Sequence, residues 1–257
     1  MENQLSYDLE RFVREQAARY GDVISYVPER KEEAVAKKKS MTELSPDVAV
    51  SEITLAGIEA KLAPYRKEPW FDAKTLDELN AKINNCQKCP LWETRTKFVF
   101  GVGNPNAKLM IIGEAPGADE DEQGEPFVGR AGQLLNKMLV AINFQREEVF
   151  IANVLKSRPP NNRDPKPEEV AACEPYLFKQ IALIKPKFIL CLGRIAGQNL
   201  LKTNDTLGKM RGQIFDFNGI QTIVTYHPAA LLRNPDWKHG AWEDLQKLRR
   251  MYDEAVA

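Results

Sequence analysis

The residues best suited to grip a ligand and break a bond fall in a few short segments of this 257-residue chain. Asn153 carries an amide, a donor and an acceptor side by side, which is what a pyrimidine edge requires. Close behind it runs Lys156-Ser157-Arg158-Pro159-Pro160-Asn161-Asn162-Arg163, whose cations suit phosphate oxygens. The alternative for that stretch is a capped loop with solvated charges. His227, one of only two histidines, opens His227-Pro228-Ala229-Ala230-Leu231-Leu232-Arg233. Two leucines beside an arginine on a proline-braced loop, not helical throughout, have the character of a minor-groove wedge; packing beneath the loop is the alternative. Gly113-Glu114-Ala115-Pro116-Gly117 sets a carboxylate between glycines, where backbone N–H groups can approach a ligand, or else forms a plain turn. The acidic run Asp119 to Glu122 faces the cleft or solvent, where one member can position a water. Phe127, between turn residues, offers an aromatic face to a planar ring. Cys86 and Cys89 form a C-x-x-C pair, and four cysteines in all are too sparse for a disulfide scaffold, so a metal or redox role is indicated.

Something must bring these segments together. From Lys108 onward, apolar runs of strand length alternate with amphipathic stretches of helix length. The strands predicted are Leu109 to Ile112, Val149 to Val154, Phe188 to Leu192, a short one near Ile214 to Phe217, and Ile220 to Tyr226. The helices predicted are Gly129 to Ile142, Pro167 to Ile184, Arg194 to Leu201 and Trp237 to Ala255. Alternation of this kind specifies an α/β fold, a three-layer αβα sandwich with a mainly parallel central sheet, because parallel neighbours need long crossovers that cover both faces. In such a sheet a ligand sits at the carboxyl ends of the strands. The segments after four of the strands, those from Gly113, Lys156, Gly193-Arg194 and His227, are therefore expected to share one cleft.

The domain carrying them is expected over residues 76–257. Residues 1–75 read as an amphipathic helix, Leu5 to Tyr20, followed by a charged flexible linker from Pro28 to about Asp72. Lys and Arg number 36 and so do Asp and Glu, which excludes whole-molecule attraction to polyanions but not a local basic groove. Residues 1–85 hold 13 basic and 16 acidic residues, the remainder 23 and 20. No apolar run of about 20 residues spans a membrane, and the first residues are too charged for a secretory signal, so a cytoplasmic protein is expected.

Taken together, seven segments in order resemble the family 4 uracil-DNA glycosylases, the iron-sulfur branch of the uracil glycosylase superfamily. They are Cys86-x-x-Cys89-Pro90, Gly113 to Gly117, Gly124-x-Pro126-Phe127-Val128-Gly129-x-Ala131-Gly132, Arg158-Pro159-Pro160-x-Asn162-Arg163, Cys173 in Ala172-Cys173-x-Pro175-Tyr176-Leu177, Leu192-Gly193, and His227-Pro228-Ala229-x-Leu231-Leu232-Arg233. The resemblance covers about Cys86 to Tyr252. It implies a DNA repair hydrolase that flips uracil from DNA, cleaves the N-glycosidic bond and leaves an abasic site. A non-catalytic DNA- or uracil-binding module associated with replication or repair proteins is the alternative.

The resemblance implies that Phe127 stacks on the base, Asn153 reads its edge, Gly113 and Ala115 line the pocket, and His227 stabilises the departing anion. Glu114 is expected to touch base or water, Glu120 to exclude the 5-methyl of thymine, and Asn162 to hold the water. Arg158, Arg163 and Arg233 are expected on DNA, with Leu231 or Leu232 filling the vacated stack. The family holds a 4Fe-4S cluster on four cysteines; this chain supplies Cys86, Cys89 and Cys173, but Ser157 stands at the remaining position. Three readings follow: Ser157 ligates, the position lacks a protein ligand, or Cys191 substitutes, with a cysteine-rich zinc site a further possibility. A monomer is expected, with replication or repair proteins contacted through the N-terminal segment.

Overall fold

The computed structural model describes residues 56–256. Six strands form one sheet: β1 (Val102–Gly103), β2 (Leu109–Gly113), β3 (Phe150–Asn153), β4 (Phe188–Leu192), β5 (Phe215–Phe217) and β6 (Ile220–Thr225), in the order β1-β3-β2-β4-β6-β5. The central pairs β3-β2, β2-β4 and β4-β6 are parallel, and the edges β1 and β5 are antiparallel. β2, β3 and β4 are buried along their whole length, as strands covered on both faces must be. The parallel α/β fold expected from the sequence is observed; the two-residue strand β1 was too short to be read there.

Nine α-helices lie among the described residues: α1 (Ala56–Leu62), α2 (Leu76–Ile83), α3 (Ala118–Gln123), α4 (Arg130–Ala141), α5 (Pro167–Ile184), α6 (Arg194–Leu201), α7 (Leu207–Met210), α8 (Pro228–Arg233) and α9 (Lys238–Val256). Alternate strand residues point to opposite faces. Met110, Ile112, Ile189 and Val224 join one core with Ile58 and Leu62 of α1, Leu177 and Ile181 of α5 and Leu200 of α6. On the other face Phe188 packs against Tyr252 of α9, whose ring also meets Phe144 just beyond α4. α5 begins where the sequence places it because Pro167 takes the first helical position, where its missing N–H costs nothing, and Glu168 and Glu169 face the positive end of the helix dipole.

The expected boundary at residue 76 is corrected. Residues 56–75 are part of the domain, with Ile58, Leu62, Trp70 and Ala73 buried in its core. Ile58 and Leu62 lie one turn apart on α1, and this small apolar stripe docks on α5 although Glu59, Lys61, Arg66, Lys67 and Glu68 surround it. The helix expected over Leu5 to Tyr20, and the linker up to residue 55, lie outside the described residues.

Candidate active site

Chain order reverses direction across the sheet between β2 and β4, and there the carboxyl ends of adjacent strands part to leave a crevice. Gly113, the last residue of β2, is in register with Asn153, the last of β3. Asn153 is buried, and its Oδ1 accepts no hydrogen bond. A Cβ on Gly113 would lie 2.3 Å from that Oδ1 and 2.7 Å from Phe127 Cζ, so only glycine lets amide and ring close over the backbone.

Phe127 is held in a left-handed conformation, φ 55°, which costs a bulky residue about 1–3 kcal/mol. Its neighbours hold it there. Glu120 Oε1 accepts from the N–H groups of Val128 and Gly129, at 2.9 and 3.0 Å, while Oε2 accepts from Gly117 N–H. Arg146 donates to the Pro126 carbonyl at 2.6 Å. Glu120 is thus a loop clamp, its carboxylate held fixed by three backbone N–H groups.

His227 follows β6 and caps α8. Its Nδ1 accepts from Ala229 N–H at 3.1 Å, so in the neutral ring the proton sits on Nε2. Burial, with Arg233 nearby, lowers its pKa to about 4 and keeps it neutral. Its ring centroid lies 5.5 Å from that of Phe127, the planes inclined by 31°. Phe127, Asn153 and His227 therefore converge. Glu114 stands beside them, half-buried, its pKa raised to about 7 by burial and by the charge of Asp164, against the pull of Arg194. Asp164 and Arg194 are themselves paired at 3.1 Å. That pair was not singled out from sequence, since nothing local joins the loop after β3 to the start of α6. Ala115, half-buried, packs against the core beside Glu114.

The outer residues divide differently from expectation. α8 is a helix through Arg233, not an irregular loop, because Pro228 occupies its first turn. On it Leu231 is 2% exposed and belongs to the core, whereas Leu232 is 40% exposed and available as a wedge. Arg233 is exposed at the same end. Arg163 is not a free cation: its guanidinium grips both oxygens of buried Glu169, at 2.9 and 2.5 Å. Arg158 is partly exposed, and its Nε donates to Asn162 Oδ1 at 2.8 Å. Asn162 is exposed, and its Oδ1 orients that arginine.

Cys86, Cys89 and Cys173 lie close together: Cys86 acts electrostatically on Cys89, and both act on Cys173, disfavouring ionisation of those two thiols. Burial raises the Cys89 thiol and pushes Cys173 to about 12. Hydrogen-bonding groups surround the sulfurs: Lys156 N–H donates to Cys173 Sγ at 3.3 Å, and the Tyr176 hydroxyl lies 3.2 Å from Cys86 Sγ. Three soft donors ringed by hydrogen-bonding groups suit an anionic iron-sulfur cluster. At the fourth position Ser157, buried, takes a hydrogen bond from Arg95, which also binds the Cys86 carbonyl. Cys191 lies inside β4, its thiol raised by burial alone. Among the described residues no three His, Cys, Asp or Glu side chains are grouped to hold a single metal ion.

The geometry is that of an α/β protein in which an aromatic ring, a buried amide and an imidazole converge at the carboxyl ends of the strands. Residues 100–246 match the model of the Uracil DNA glycosylase superfamily. The chain is 45% identical to a type-4 uracil-DNA glycosylase of Archaeoglobus fulgidus over 68% of this chain and 92% of that protein. It is 40% identical to the type-4 uracil-DNA glycosylase of Thermotoga maritima, covering 68% and 93%. To a type-5 uracil-DNA glycosylase of Pyrobaculum aerophilum it is 27% identical, covering 63% and 84%. The chain belongs to the uracil-DNA glycosylase superfamily, in its type-4 branch.

Proposed function

We propose that the protein is a monofunctional uracil-DNA glycosylase, which draws uracil out of the DNA stack, hydrolyses its N-glycosidic bond and leaves an abasic site. The observation that carries this is Asn153 Oδ1, a buried acceptor without a partner, set against Phe127 across Gly113. Uracil N3–H satisfies it, and the amide N–H reaches O4. Cytosine presents the opposite pattern, leaving both amide groups mispaired. Phe127 stacks on the base. As the bond breaks, negative charge gathers on uracil and positive charge on the sugar, and the neutral His227 donates from Nε2 to O2, a dipole aimed before the charge appears. Glu114, ionised above about pH 7, takes the proton of the attacking water. Leu232 enters the vacated stack, and Arg158 and Arg233 meet phosphates.

Lys156 has a pKa lowered to about 7 by burial, the signature of a Schiff-base nucleophile. It is nevertheless 0% exposed with its ammonium held by two oxygens, so the sugar has no route to it and strand cleavage is not expected. Cys86, Cys89 and Cys173 would hold an iron-sulfur cluster, which would supply a structural cross-link between the segment before the sheet and α5. No described helix is long and apolar enough to cross a membrane. We place the enzyme with DNA in the cytoplasm as a monomer, any contact with replication or repair proteins being made by the N-terminal segment. The test is incubation with a uracil-containing oligonucleotide. Free uracil and alkali-labile breaks are expected, with no covalent adduct on borohydride reduction; intact DNA would leave the non-catalytic alternative.

A further inference from the structure

Lys156 is among the largest fully buried side chains of the described residues, and every polar group it has is in use. Its Nζ donates to the Asn153 carbonyl at 2.9 Å and to Gln180 Oε1 at 2.7 Å. Its backbone N–H meets Cys173 Sγ, and its carbonyl accepts from Val99 N–H at 2.9 Å. Gln180, in turn, donates from Nε2 to the Phe100 carbonyl at 2.9 Å. Lys156 and Gln180 together therefore join the end of β3, helix α5 and the segment at residues 99–100.

A lysine is an expensive way to fill space. Methionine would occupy similar volume without desolvating an ammonium, so packing alone does not call for it. What the ammonium adds is direction. Asn153 is the last residue of β3, and beyond it the N–H groups of Val154 and Leu155 still donate to the Gly113 and Glu114 carbonyls, at 2.9 and 3.0 Å. The peptide that follows Asn153 is held at both ends, its N–H by the Gly113 carbonyl and its carbonyl by the Lys156 ammonium, and of these two restraints only the second comes from a side chain. That lysine is itself fixed by Gln180 from the rigid interior of α5. We infer that Lys156, braced by Gln180, is a positioning residue for Asn153, acting on uracil recognition without touching the base.

This deepens the proposed activity and rests on it. The experiment is a double-mutant cycle on uracil excision under single-turnover conditions, with the wild type measured first. An inactive wild type would fault the activity itself, separately from this inference. Given activity, Lys156→Met is expected to slow excision by roughly 10–100-fold, since an ångström of misplacement costs about that much. The concentration of DNA needed for half-maximal rate should be little changed, because the phosphate contacts lie elsewhere. In an Asn153→Ala background the same substitution should change the rate less than about twofold, whereas a general loss of structure would slow both backgrounds equally. Gln180→Met runs the same cycle, with a smaller expected loss, if Lys156→Met does not accumulate as folded protein. Wild-type rates in both single variants, or equal losses with and without Asn153, would overturn the inference.

Discussion

Glu114 and His227 sit in one pocket but answer to pH in opposite senses. Glu114 holds its proton up to about pH 7 in the folded protein, whereas the unfolded chain releases it near 4.5. The fold therefore loses stability as pH rises between those values. His227 refuses a proton down to about pH 4 that the unfolded chain accepts near 6.5, so its contribution is lost as pH falls through that window. For the reaction, the imidazole stays a neutral donor across the working range, and only Glu114 titrates there. Excision should rise with pH through about 7 and then level off. Glu114→Gln should flatten that profile and lower the rate by about 10²–10⁴-fold. The same variant should melt higher than wild type at pH 8 and equally at pH 4, because it removes a charge that burial disfavours. A Gln variant that keeps the wild-type pH profile would exclude Glu114 as the base.

Among the elements, α8 separates two leucines that sequence alone left interchangeable. Adjacent helical residues point about 100° apart, so one faces the core and the next faces out, but that distinction exists only once the segment is known to be helical. Pro228 and Pro235 made it read as loop, although proline in a first turn is compatible with a helix. Leu231→Ala should cost about 2–5 kcal/mol of stability, read by denaturant unfolding. Leu232→Ala should leave stability unchanged and slow excision from duplex more than from single-stranded DNA, where no stack must be filled. If Leu231→Ala were neutral for stability, or Leu232→Ala slowed both substrates equally, the assignment would be reversed or lost. The long strands were legible because burial on both faces writes them as unbroken apolar runs, and α5 because proline and acidic residues mark its start. Phe127, Asn153 and His227 were legible as residues set off by turns and strand ends. The partners of Glu120 and Arg163 were not, since the backbone amides and the Glu169 carboxylate that meet them arrive through folding. Nor was α1, where charged neighbours hide a two-residue apolar contact.

For the molecule as a whole, the proposed recognition and chemistry fall at the sheet's switch point, while Cys86 and Cys89 precede the sheet and Cys173 lies on α5. A cluster on Cys86, Cys89 and Cys173 should give a brown protein with iron and acid-labile sulfide; stoichiometric zinc without iron would contradict it. Removing the metal should lower the melting temperature, since binding to the folded state alone stabilises it. The central claim concerns the base, and a crystal structure with free uracil tests it most directly. Uracil is expected stacked on Phe127, with N3 about 3 Å from Asn153 Oδ1 and O2 within hydrogen-bonding distance of His227 Nε2. Uracil bound elsewhere, or Asn153 Oδ1 still without a partner in the complex, would contradict the account.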